Sequence, residues 1–121
     1  MLRLEPRGAF RIPAGGVHPG MIAYLVECRT SSLDASLRAP RLVMQVLDSL
    51  QRSQVLREPD VVLDPDTRSL TMTARIETAR TPQLAAVMAS NELLWRTNQY
   101  CGEDPARHVK ITHLVSQLAG S

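Results

Sequence analysis

The chain has 121 residues, 44% of them hydrophobic and 21% charged, and a net charge of +2. That is the length of one ordinary domain with enough apolar residues for a core, which excludes a mostly disordered chain. So small a net charge creates little long-range field, which excludes electrostatic capture of nucleic acid as the main activity.

Aromatic residues are scarce (Phe10, Tyr24, Trp95 and Tyr100), so the core must be aliphatic. The basic side is thirteen Arg and one Lys, Lys110. Guanidinium forks bind phosphates and carboxylates bidentately. These Arg residues are scattered and separated by acids, which fits the codon usage of a genome rich in G and C better than a built anion site. Cys28 and Cys101 lie far apart and outside any C-x-x-C pattern, so both are expected as buried or half-buried thiols in a cytoplasmic chain. The start lacks the apolar run of a signal peptide, and no later stretch is long enough to span a bilayer.

Residues 1–20 hold Pro6, Gly8, Pro13, Gly15, Gly16, Pro19 and Gly20, a density of breakers that excludes a helix and predicts an irregular arm. Residues 21–29 read as the first strand. Ile22, Tyr24, Val26 and Cys28 face one way, with Ala23 and Leu25 opposite. A helix is expected from about Pro40, with Leu42, Val43, Val46, Leu47 and Leu50 as its apolar stripe. Pro59 closes that region, Val61, Val62 and Leu63 form a short strand, and residues 64–69 form a turn.

The clearest stretch follows. Leu70, Met72, Ala74 and Ile76 alternate with Thr71, Thr73, Arg75 and Glu77, the period of a half-buried strand. Thr81-Pro82 then opens a helix, with the hydroxyl as cap and Pro at the first position. Its buried face is expected from Leu84, Val87, Met88, Leu94 and Trp95, interrupted by Asn91. Gly102 marks the stop. The last strand is expected over residues 108–114, and residues 117–121 as a frayed tail.

The order strand, helix, strand, strand, helix, strand over residues 21–116 resembles the ferredoxin-like arrangement. That is an α+β fold, βαββαβ, with a four-stranded antiparallel sheet and two helices on one face. The resemblance rests on element order and carries no active site with it.

Chemistry-bearing motifs are weak. The third strand offers no aromatic platform for stacked bases, so RNA binding by that route is not expected. No thiolate pair exists, and His108 and His113 are five apart, so on one strand they face opposite ways and share no metal. No cofactor or metal site is expected. The glycine-rich run at residues 15–20 lacks the spacing of a phosphate loop and reads as a turn.

The most unusual cluster is Asn91, Trp95 and Asn98, at helical spacing on one stripe, with Tyr100 beyond it. A polar amide beside an indole could line a ligand pocket, and Tyr24 and His113 would complete it. With no catalytic constellation, the primary reading is a non-enzymatic module. It self-associates as a homodimer and binds a partner protein or small ligand, because two helices shield only one face of such a sheet. The alternative is a dimeric α+β barrel enzyme, of the small monooxygenase, cyclase or isomerase type, with His113 as a proton acceptor. A ligand-sensing dimer is a third reading, lowered by the absence of Gly at residues 30–34.

Overall fold

A computed structural model describes residues 22–119. The arm expected over residues 1–20 and the last two residues of the expected tail lie outside the described residues. The elements are β1 (Tyr24–Thr30), α1 (Ala39–Gln51), β2 (Arg57–Asp64), β3 (Ser69–Ile76), α2 (Pro82–Asn98), a single 3₁₀ turn (Pro105–Arg107) and β4 (Ile111–Leu118). The strands form one antiparallel sheet in the order β2-β3-β1-β4. This is the ferredoxin-like α+β order read from the sequence.

Alternation along β1 and β3 divides the sheet into two faces. Tyr24, Val26, Cys28 and Thr30 of β1, with Leu70, Met72, Ala74 and Ile76 of β3, are buried beneath the helices. From above, α1 adds Ala39, Leu42, Val46 and Leu50, while α2 adds Ala85, Ala89 and Leu93. The core is aliphatic, as composition requires.

Polar staples hold the loops. The Arg68 guanidinium donates to the carbonyls of Asp34 (2.9 Å) and Leu37 (2.8 Å), pinning the β1–α1 loop to the β2–β3 turn. Arg68 itself sits at φ 56°, a left-handed conformation that costs a non-glycine residue stability. Its two hydrogen bonds help to offset that cost. Asn98 accepts from Val109 N–H (2.9 Å) and donates to its carbonyl (3.3 Å), fixing the chain where it enters β4. Thr81 caps α2 by accepting from Leu84 N–H (3.0 Å), and Gly102 adopts φ +89° just past the helix.

Besides β1, which runs Tyr24–Thr30 rather than over residues 21–29, four details depart from the sequence reading. The strand expected at residues 61–63 begins earlier, at Arg57, and contains Pro59. β2 is an edge strand, and its register shifts between Arg57 and Asp60, so a missing N–H is tolerated there. The last strand is Ile111–Leu118 rather than residues 108–114, because the Asn98 clamp and the 3₁₀ turn occupy the preceding residues. Gln117 and Leu118 therefore belong to β4 and not to a frayed tail.

The fourth departure is the buried face of α2. It consists of Ala85, Ala89, Leu93 and Thr97, whereas Leu84, Val87 and Trp95 are exposed. Apolar residues occur almost all round this helix, so periodicity does not choose a side. Small side chains win because they let the helix axis approach the sheet closely. Ala89→Leu should therefore overpack the interface and cost about 1–3 kcal/mol, while Leu84→Ala should change stability by less than about 0.5 kcal/mol. Urea midpoints of the two variants check this, and the reverse ranking would reject the assigned face.

Candidate functional site

The six residues singled out by sequence do not converge on one pocket. Tyr24 is buried in β1, and its hydroxyl donates to the Arg80 carbonyl at 3.4 Å. Asn98 is engaged with Val109, and Tyr100 packs partly buried against the core. Asn91 is exposed on α2. Trp95 is half exposed, with its indole N–H donating to Glu92 at 3.2 Å and the Arg96 guanidinium 4.5 Å from its ring centre. His113 lies across the sheet from all of them, on the face that the helices do not cover.

Glu92 and Arg96 lock α2 to the end of α1. Arg96 pairs with Glu92 at 3.1 Å and reaches both the Ser49 carbonyl and the Ser49 hydroxyl, while Ser53 donates its hydroxyl to Glu92. The Ser53 oxygen in turn accepts from Val55 and Leu56 N–H groups. The Asn91–Trp95 stripe thus borders a structural network. Burial pushes the Glu92 carboxyl up, but hydrogen bonds from Ser53, Trp95 and Arg96, with the Arg96 charge, outweigh burial and hold it below its ordinary 4.5.

The face away from the helices is the larger candidate. Strand register arranges its side chains in rows across the sheet. One row is Arg57, Arg75, Leu25 and Gln117. The next is Asp60, Thr73, Glu27 and Val115, and the third is Val62, Thr71, Arg29 and His113. An acidic row therefore lies between two basic ones. Within this face His113 Nε2 meets Glu27 Oε2 at 3.1 Å, and Arg29 Nε donates to Thr71 at 3.3 Å. Arg57 and Arg75 both approach Glu77 at the border, at 3.6 and 3.7 Å. Leu25 and Val115 are each 43% exposed and Val62 60%. Leu25, Glu27, Thr73, Val115 and Gln117 line a shallow depression of about 250 Å³.

A second, polar hollow of about 320 Å³ is lined by Arg29, Thr30, Ser31, Ser32, Thr67, Ser69 and Thr112. Its hydroxyls already serve the fold. Thr30 accepts from Leu70 N–H, Ser31 accepts from Lys110 N–H, and Thr67 and Ser69 bond each other. Both cysteines are free and buried, and burial, with help from Glu27, pushes the Cys28 thiol up to about 12. Neither is placed to act as a nucleophile. Among the described residues no group of three or more His, Cys, Asp or Glu side chains could hold a metal ion, and no helix is long and apolar enough to cross a membrane.

Sequence reasoning found His113 but not its partner Glu27, nor Thr73, Val115 and Gln117 beside it. Their proximity depends on the pairing of β1 with both β3 and β4, which alternation alone does not reveal. No protein-family model, no curated protein and no solved structure matches this chain.

The Glu92 network makes a pH prediction. A carboxyl depressed in the folded state contributes stability that is whole above its unfolded value and is lost as pH falls through the folded value. The unfolding free-energy difference between the unaltered protein and Glu92→Gln should therefore shrink as pH drops below 4.5. A difference that stays constant throughout the acid titration would argue that Glu92 is not held ionised.

Proposed function

We propose that this chain is a non-enzymatic association module: it pairs with a second copy of itself through the open face of its sheet and, so assembled, binds a partner protein or small ligand. The observation that carries the reading is the exposure of Leu25, Val62 and Val115 on that face. A strand face that met only water would be polar at these positions. Burying apolar surface contributes roughly 25 cal/mol per Å², so covering the three is favourable wherever the surrounding charges are also satisfied.

The row pattern supplies that satisfaction. A two-fold operation that opposes adjacent rows sets the basic row of one copy over the acidic row of the other, and reciprocally. Isologous contact requires this kind of self-complementarity. Like-charged rows stay apart, which favours one register over its neighbours. Light scattering should accordingly give a multimer at micromolar concentration, and Leu25→Lys should halve its mass. A monomer for the unaltered protein at high micromolar concentration, or an unchanged mass for the variant, would remove the proposal.

A second reading, the dimeric α+β barrel enzyme, draws support from the Glu27–His113 pair. It stands beside the depression and would give a closed cavity one acid–base couple among apolar walls. On this reading a small apolar compound raises the melting temperature by mass action, and Val115→Trp, which fills the hollow, abolishes that rise. A thermal-shift screen that yields no compound with this dependence counts against the enzyme reading.

A further inference from the structure

The sheet has two edges, and they are built differently. β2 carries Arg57, Glu58, Pro59, Asp60 and Asp64, its register is broken between Arg57 and Asp60, and Glu58 turns to φ 52°. Charge, proline and irregularity are the means by which a strand edge resists further pairing. β4, the other edge, reads Ile-Thr-His-Leu-Val-Ser-Gln-Leu. It has no Asp, Glu, Lys, Arg, Pro or Gly.

The direction of its backbone groups follows from one hydrogen bond. Ala119 N–H donates to Ala23 O at 2.9 Å, continuing the register in which Leu118 lies opposite Tyr24. Bonded and non-bonded pairs alternate along an antiparallel ladder. Gln117, Val115 and His113 therefore bond towards β1. The N–H and C=O groups of Leu114, Ser116 and Leu118 point away from β1, along an edge that no other described strand covers.

The side chains of these same residues are also unfinished. Register places Leu114 beside Cys28 and Leu118 beside Tyr24, on the helix side of the sheet, yet they are 39% and 65% exposed. Between them the Ser116 hydroxyl is buried without a hydrogen-bond partner among the described residues. Above, Val87, Leu94 and Asn98 share one stripe of α2. Since Asn98 holds Val109 at the approach to β4, this stripe overhangs the strand, and Val87 on it is 51% exposed.

We propose that a second copy of this chain pairs antiparallel along β4, about a two-fold axis through Ser116, so that the two sheets become continuous. Leu114 then lies opposite Leu118 of the copy, the two Ser116 hydroxyls meet and satisfy each other, and the α2 overhangs cover both leucine pairs. The occupant is a copy rather than a foreign strand because of the symmetry of the pattern. Near a two-fold axis each side chain faces itself or a close neighbour, so any charge would meet its own sign. β4 has no Asp, Glu, Lys or Arg, its one titratable residue, His113, lies on the opposite face from Ser116, and its leucines are placed symmetrically about Ser116. This contact is independent of the open-face pairing. Its axis runs normal to the sheet, whereas the face axis lies parallel to the sheet plane, so both contacts operating together produce a closed tetramer where the two axes intersect.

Ser116→Cys tests the edge contact directly. The bonded positions of an antiparallel pair have Cα atoms about 5.5 Å apart, within disulfide reach. Mild oxidation should give a covalent dimer in high yield, while Met44→Cys, on the exposed side of α1, should not. Cross-linking of Ser116→Cys no faster than Met44→Cys would overturn the proposal. Light scattering of Leu118→Lys separates the two contacts. An edge contact requires this variant to have half the mass of the unaltered protein, whether or not Leu25→Lys changes it; an unchanged mass for Leu118→Lys overturns the edge pairing alone.

Discussion

The packing of α2 against β1 and β4 is the contact on which the rest of the molecule depends. Ala85 and Ala89 present almost no side chain to the sheet, so Leu93 reaches fully into the core and the layer of Val26, Cys28 and Met72 beneath is sealed. Interiors are close-packed, and a helix seated on small residues has little freedom to slide. Once it is seated, its larger apolar residues have nowhere to go but outward. The exposed Leu84, Val87 and Trp95 are a consequence of this choice of face.

The same contact explains the asymmetry of the sheet. α1 covers the β2–β3 side and α2 is held towards α1 by the Glu92–Arg96 bridge to Ser49 and Ser53. Leu114 and Leu118 are left only partly covered on the core side, while among the described residues no layer covers the opposite face.

Much of the fold was legible because local signals agreed with one another. The Thr81-Pro82 start and the alternation from Leu70 to Ile76 each have a single mechanical interpretation, and each stands where it was read, whereas α2 ends at Asn98, ahead of the Gly102 expected to stop it. The face of α2 was not legible, since a helix with apolar residues on every side gives periodicity nothing to select. Pro59 misled for a different reason: it ends a central strand but suits an irregular edge, and edge position is a property of the assembled sheet. The candidate site was less legible still. His113 and Glu27 are distant in the chain and meet only through strand register, whereas Asn91, Trp95 and Asn98 share a stripe yet serve separate local contacts.

The irregular border formed by Glu58 and Pro59 has one more effect. A sheet with two receptive borders invites run-on growth, copy after copy, into a fibre. Here the β2 border is broken by its own geometry, so a copy added along β4 would end the extension. A finite assembly would thus follow from the irregularity of β2 itself.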